Sequence, residues 1–248
     1  MSKTMVVVPT YNEIDNIQRL IEALFALSIP DLEVLIVDDN SPDGTGQVVD
    51  TLVARDPRLH VMHRAGKQGL GTAYIQGFQW ALSEGADVII QMDADFSHAP
   101  AVIPALLDTL PGYDAVIGSR YVKGARLDER WGIGRKLLSW WANAIWVRTI
   151  LQIPIHDATG GFRAWKRDTL IGMNIGQVRS NGYIFQVEMT YVAHRLGYHF
   201  AEIPIYFEDR RYGTSKMSFD VQAEAAIGVF KLRQRYRNLI PAMRRASL

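Results

Sequence analysis

The sequence predicts an α/β fold built on a mostly parallel sheet with helices on both faces. Two observations carry this. Short β-branched runs alternate with stretches of helical periodicity at the spacing of βαβ units. Polar and acidic residues then follow those runs directly, at the carboxyl ends of the strands, where such sheets bind their ligands.

In chain order, Val6-Val7-Val8 is a short buried strand ending at Pro9. Asn12 is placed to cap a helix whose apolar positions are Ile14, Ile17, Leu20, Ile21, Leu24 and Phe25. Residues 33–37 form a second strand that ends in Asp38-Asp39, and the loop Asn40-Ser41-Pro42-Asp43-Gly44 leads into a helix ending near Ala54. Residues 59–63 are a third strand; a glycine-rich turn over 66–71 precedes a helix over 72–83. A strand over 87–92 ends in Asp93-Ala94-Asp95, and 115–118 is a fifth. The second half is less regular. It reads as an apolar helix over 135–151 with Trp140, Trp141 and Trp146, a helix over 183–196, a strand over 200–207, a polar loop over 208–216 and a helix over 218–237. The chain divides into a catalytic domain, 1–217, and a basic amphipathic tail, 218–248.

A net charge of +1 offers no global field for nucleic acid, and the absence of cysteine excludes disulfides, thiolate metal sites and cysteine nucleophiles. The first ten residues do not form a signal peptide, and no segment reaches the roughly 20 apolar residues of a membrane span. The nearest, 137–151, is interrupted by Asn143 and Arg148. The expected location is cytoplasmic, with contact to a membrane surface left open.

Asp93 and Asp95, separated by the small Ala94 behind a buried strand, make a hard oxygen site that suits Mg²⁺ or Mn²⁺ on the phosphates of a nucleotide. The same pattern also serves as a solvated turn or helix cap. Asp38 and Asp39 are adjacent, so their side chains diverge: one is free to accept from a base or ribose, the other to cap the loop. Tyr11 and Glu13 stand where a base or ribose would lie, although a helix N-terminus also favours an acid. The turn Gly66-Lys67-Gln68-Gly69-Leu70-Gly71 lacks Walker spacing, leaving Lys67 as a phosphate or sugar contact. Arg120 ends a strand with a cation suited to phosphate or to a surface salt bridge.

These stretches resemble the family 2 glycosyltransferases, and most closely the dolichol-phosphate (polyprenol-phosphate) mannose synthases. The likeness runs in order through Pro9-Thr10-Tyr11-Asn12-Glu13, Val37-Asp38-Asp39-Asn40-Ser41-Pro42-Asp43-Gly44-Thr45, Gly69-Leu70-Gly71-Thr72-Ala73-Tyr74, Met92-Asp93-Ala94-Asp95-Phe96-Ser97-His98 and Gly118-Ser119-Arg120-Tyr121. It continues through Asp157-Ala158-Thr159-Gly160-Gly161-Phe162-Arg163-Ala164, Gly182-Tyr183-Ile184-Phe185-Gln186-Val187-Glu188-Met189 and residues 209–217. The resemblance implies a GT-A fold, a GDP-mannose donor, a divalent metal and a polyprenyl-phosphate acceptor. It places Pro9, Tyr11, Glu13 and Asp38 on the nucleoside, Asp93 and Asp95 on the metal, and Arg120 on the acceptor phosphate or developing charge. Arg210 and Lys216 would close over the phosphates. A UDP-glucose donor is the alternative.

Two departures from the family pattern stand out. Relatives often carry Arg after the serine of an Arg-Lys-Leu-x-Ser segment, whereas Ser139 is followed here by Trp140; Arg135 or Ser139 would have to compensate. C-terminal membrane helices found in some members are missing, as in the subtype that depends on a separate membrane-anchoring protein. Membrane contact is therefore expected from the tryptophan-bearing helix and, above all, from the basic tail over 230–245.

Overall fold

The computed structural model describes residues 2–208 and 219–246. Its elements run β1 (Thr4–Thr10), α1 (Ile17–Phe25), β2 (Leu32–Asp38), α2 (Thr45–Val53), β3 (Leu59–His63), α3 (Leu70–Ser83), β4 (Val88–Gln91), α4 (Ile103–Thr109), β5 (Ala115–Ser119) and β6 (Arg126–Leu127). They continue α5 (Ile133–Trp140), a π-helical segment (Trp141–Val147), α6 (Arg148–Leu151), β7 (Arg163–Lys166), α7 (Arg167–Gly172), α8 (Tyr183–Arg195), β8 (Phe200–Pro204), β9 (Tyr206–Phe207) and α9 (Phe219–Arg235).

Seven strands form one sheet in the order β3-β2-β1-β4-β7-β5-β8. All neighbours are parallel except β7, which runs antiparallel between β4 and β5. Val6, Val8, Val34 and Ile36 face a core covered by α1, α2 and α4. Met5, Val7, Leu35 and Val37 face the other core, under α3, α7 and α8. This is the two-sided burial that makes parallel strands read as unbroken apolar runs. At Gly77 an added Cβ would stand 2.5 Å from Val7 Cγ1, so α3 lies close against β1.

Three elements differ from expectation. The first helix begins at Ile17 rather than near Asn12. Residues 12–14 give their N–H groups to the neighbouring loop, to Ser41 Oγ, Thr45 Oγ1 and Asp43 Oδ2 respectively, which leaves Ile14 exposed and outside the apolar face. The single strand over 200–207 is two: at Ile205 the chain leaves the main sheet, and Tyr206–Phe207 pairs with β6. The helix over 135–151 starts at Ile133 and carries the π segment.

The tail is packed on the domain along one face. Val229 and Leu232 are buried in a third core with Ile150, Leu151, Val187 and Tyr191. Glu188, fully buried, accepts from Tyr236 Oη (2.6 Å), Arg235 Nη1 (3.1 Å) and the Ser180 N–H (2.7 Å). Arg233 donates to Ile150 O, and Arg244 caps the last carbonyls of α8, Leu196 O and Gly197 O, with its guanidinium 4.1 Å over the Tyr198 ring. Four of the tail's cations, Arg233, Arg235, Arg244 and Arg245, thus make bonds to the protein, whereas Lys231 and Arg237 stay exposed.

Deleting residues 232–248 should therefore lower Tm by on the order of 10 °C or more, through lost burial of Leu232, Tyr236 and Leu239 and loss of the Tyr236 and Arg235 donors to the buried Glu188. Circular-dichroism melts check this; an unchanged Tm would show the tail to be an independent appendage.

Candidate functional site

The loops after β1, β2 and β4 open at the same edge of the sheet. In each, one residue with a side chain adopts left-handed backbone: Asn12 (φ 62°), Asn40 (φ 56°) and Phe96 (φ 62°). Asparagine tolerates this region; for a phenylalanine it is strained and marks a built turn. The turn at Phe96 returns the Ser97 N–H and hydroxyl to Asp95 Oδ1, at 3.1 and 2.6 Å.

Asp93 is aimed from behind. Tyr74, fully buried on α3, donates to its Oδ1 at 2.7 Å and stacks on Phe185. Burial, with Asp93 beside it, raises the Tyr74 phenol well above its ordinary range, so it stays a donor. The Asp93 N–H donates to His98 Nδ1 at 3.0 Å. Burial holds the His98 imidazole below its usual pKa, which leaves that nitrogen's lone pair available to accept. His98 stacks on Phe162 and meets Phe207 edge-on. A Cβ at Gly161 would lie 3.2 Å from the His98 ring and 3.7 Å from Asp93 Oδ2, a tight fit against the ring. Tyr74, His98 and Gly161 lie within the family-like stretches, yet nothing in their spacing assigned them to Asp93.

The donors fit Mg²⁺ or Mn²⁺ shared with a phosphate. Asp93 Oδ2 accepts no hydrogen bond among the described residues, and Asp95 lies two positions on. No group of three or more His, Cys, Asp or Glu side chains among the described residues completes a closed cage. Such ions take one or two carboxylates and leave other positions to phosphate and water.

On the opposite side of β1, Asp38 is turned inward. Its Oδ1 accepts from Thr10 Oγ1 (2.9 Å) and Ser41 Oγ (2.6 Å), and its Oδ2 accepts from the Ser41 N–H. It ties the loop that walls the crevice. Asp39 pairs with the buried Arg64, which also reaches Gln68 Oε1 and Thr72 Oγ1 and so anchors the turn before α3. Lys67, exposed on that turn, lies 4.3 Å above the Tyr11 ring. Pro9, Tyr11 and Glu13 are partly exposed along the same rim, with Glu13 Oε2 accepting from Asn16 Nδ2.

Arg120 is not the bare cation that its place at a strand end suggested. Its Nε and Nη2 grip both oxygens of Asp157 at 2.8 and 2.7 Å, its N–H makes a third bond to that carboxylate, and Nη2 reaches Thr159 Oγ1 at 2.7 Å. Burial raises the Asp157 carboxyl, but the adjacent Arg120 outweighs this and holds it below the ordinary range. The Arg120 guanidinium lies over the rings of Tyr121 and Phe207. Ser139 shares a 2.5 Å hydrogen bond with Tyr121 Oη. Arg210 and Lys216 lie outside the described residues.

The model of glycosyl transferase family 2 matches residues 5–172. An undecaprenyl-phosphate mannosyltransferase of Micrococcus luteus is 44% identical over 227 residues, covering 92% of each chain. A polyprenol monophosphomannose synthase of Mycolicibacterium smegmatis is 44% identical over 218 residues, covering 87% of this chain and 81% of the relative. Among solved structures, a mannosyltransferase from Pyrobaculum calidifontis in complex with GDP-Man and Mn²⁺ superposes with a TM-score of 0.64 at 20% identity, over 94% of this chain and 64% of that one. A glucosyl-3-phosphoglycerate synthase from Mycobacterium tuberculosis gives 0.62 at 18% identity, over 94% and 79%. The last two likenesses establish the shared GT-A fold.

Replacing Tyr74 with Phe keeps the packing on Phe185 and removes only the bond to Asp93. Mn²⁺ affinity in the presence of nucleoside diphosphate should fall about tenfold, as for other partners that orient a metal ligand. Calorimetric titration reads this directly, and unchanged affinity would show that Tyr74 does not aim Asp93 at the ion.

Proposed function

This chain belongs to glycosyl transferase family 2, and from that premise we propose that it is an inverting, metal-dependent glycosyltransferase that moves mannose from GDP-mannose to a polyprenyl phosphate, giving polyprenyl-phosphate β-mannose. The observation that carries the reading is the 44% identity along nearly the whole chain to relatives named for mannose and a polyprenyl carrier.

The acceptor is a phosphate monoester, largely ionised near neutral pH. It is already a competent nucleophile, so the site needs no strong general base. It does need positive charge, because a dianion must approach a sugar diphosphate. Pro9, Tyr11, Glu13 and the Asp38-Asp39 strand end form the nucleoside side, with Lys67 beside the donor phosphates. Asp93 and Asp95, oriented by Tyr74, His98 and Ser97, hold the metal, and Ala94 keeps the turn between them narrow. Bound Mg²⁺ or Mn²⁺ would supply charge to the departing diphosphate. Arg120, held in place by Asp157, faces the acceptor phosphate; Arg210 and Lys216, which lie outside the described residues, are the further cations proposed for the two anions. Displacement in a single step inverts the anomeric carbon.

The lipid acceptor calls for a membrane contact. Among the described residues no helix is long and apolar enough to cross a bilayer. The exposed face that suits a lipid surface lies on α5 and the π segment: Ile133 (77% exposed), Leu137 (60%), Leu138, Trp140, Trp141 and Ile145. Trp146 stacks on Trp141 and meets Phe230 edge-on, extending the patch to Ile227 and Phe230 of α9. Tryptophan is favoured at headgroup depth. We assign this face to the cytoplasmic side of a membrane, where it is also the place for a separate anchoring protein to seat.

Labelled GDP-mannose, Mn²⁺ and polyprenyl phosphate should yield label in the organic phase. Asp95→Asn, which keeps an acceptor for Ser97, should lower that yield roughly a hundredfold or more without unfolding. Label only from UDP-glucose would reassign the donor; label from neither would sink the reading. Leu137→Glu combined with Leu138→Glu should lose protein-free vesicle binding and transfer to vesicle-borne acceptor, yet keep transfer to a short soluble prenyl phosphate. Equal loss on both acceptors would remove this face from the membrane.

A further inference from the structure

The helix that carries the apolar face changes its repeat where it crosses the site. Between α5 and α6, residues Trp141–Val147 are π-helical. Single π turns inside helices are rare and concentrate at functional positions, because the wider turn takes a side chain out of the α register. In this segment the buried polar side chain is Asn143. Its Nδ2 donates to Ser139 O at 3.0 Å, the carbonyl that an α-helix would give to the N–H of residue 143. Its Oδ1 accepts the Thr159 N–H at 3.2 Å. Thr159 Oγ1 in turn accepts from Arg120 Nη2 at 2.7 Å. A second strand of the same network runs from Ser139 Oγ to Tyr121 Oη, whose ring lies 5.3 Å from the Arg120 guanidinium carbon.

Two polar connections thus lead from a helix whose outer face is apolar and exposed to the one cation gripped by Asp157. On the outer face stand Leu137, Leu138, Trp140 and Trp141; on the inner face stand Ser139 and Asn143. Moving the helix moves both side chains, Asn143 and Ser139, that bond Thr159 and Tyr121 beside Arg120. An apolar side chain at 143 would fill the same space but leave the Thr159 N–H without its partner, a loss that backbone donors rarely tolerate when covered.

We propose that Asn143 is a positioning residue that passes the seating of the apolar helix on to Arg120, so that contact with a lipid surface tightens the site for a phosphate monoester. Assigning that phosphate to Arg120 rests on the functional reading above. Asn143 touches no substrate; it acts through Thr159.

The test pairs Asn143→Ala with Asn143→Asp, which keeps an oxygen for the Thr159 N–H. With a short soluble prenyl phosphate, Asn143→Ala should raise the acceptor KM about tenfold and leave the GDP-mannose KM within about twofold, the size expected for one lost hydrogen bond. Asn143→Asp should recover most of the acceptor KM. Equal rises in both KM values, or a lower Tm with neither KM changed, would reduce Asn143 to a packing role and overturn the proposal. A second measurement needs no transfer. Amide exchange over residues 157–160 should slow when anionic vesicles are added to the wild-type protein, and should not slow in Asn143→Ala. Exchange that ignores vesicles in the wild type defeats the coupling even if mannose is transferred. Exchange that slows as expected, in a protein that gives no lipid-linked product, leaves the coupling standing and defeats the functional reading instead.

Discussion

Asp157 has no contact with solvent, and a carboxylate in that position must draw its full set of donors from the protein or be neutralised. It draws them from Arg120, through two guanidinium nitrogens and the backbone N–H. Its own N–H is held by Glu202 of β8, as is that of His156. One buried ion pair therefore joins the end of β5, the 156–162 loop and β8. The same loop turns its carbonyls inward to the buried Arg163, which takes Gly160 O and Ala158 O. Burial lowers the Arg163 guanidinium to about 9, so the carbonyls and the nearby Asp157 are what allow a charge to sit there. Removing Asp157 would take away the carboxylate that offsets the mutual repulsion of Arg120 and the buried Arg163.

That constraint also sets the geometry of the metal side. Phe162 and Gly161 follow directly on the loop that Asp157 organises. Phe162 supports the His98 ring, and the absence of a side chain at Gly161 lets that ring and Asp93 approach. The carboxylate that would meet the ion and the arginine that would meet the acceptor are therefore placed by one connected network. The strained backbone at Phe96 belongs to it as well, because it brings Ser97 back to Asp95. Strain of this kind persists only where the surroundings over-determine the conformation.

Of the C-terminal arginines, Arg235, Arg233 and Arg244 donate to Glu188, Ile150 O and the carbonyl after α8. The large exposed side chains gather instead on α5, the π segment and α9. A helix end with unsatisfied carbonyls attracts nearby cations, and the end of α8 takes Arg244. The apolar face on α5 and the π segment lies beside the Arg120 side of the crevice, linked to it through Ser139 and Asn143.

The sequence by itself determined the parallel core and which polar residues follow its strands. Unbroken runs such as Val6-Val7-Val8 and Leu35-Ile36-Val37 have only one stable environment, a strand buried on both faces, and the carboxylates after them are local in sequence. The exact span of β3 was legible for the same reason. It did not determine β7, whose residues Arg163–Lys166 read as polar; only the carbonyls of the preceding loop, contributed from outside the strand, make a buried arginine there tolerable. Nor did it determine that Asp38 is tied to Thr10, that Arg120 is gripped by Asp157, or that Arg244 reaches the end of α8. Each of those depends on a partner 28, 37 or 48 residues away. Residue type records that a group must be paired, whereas the fold alone decides which group comes within reach.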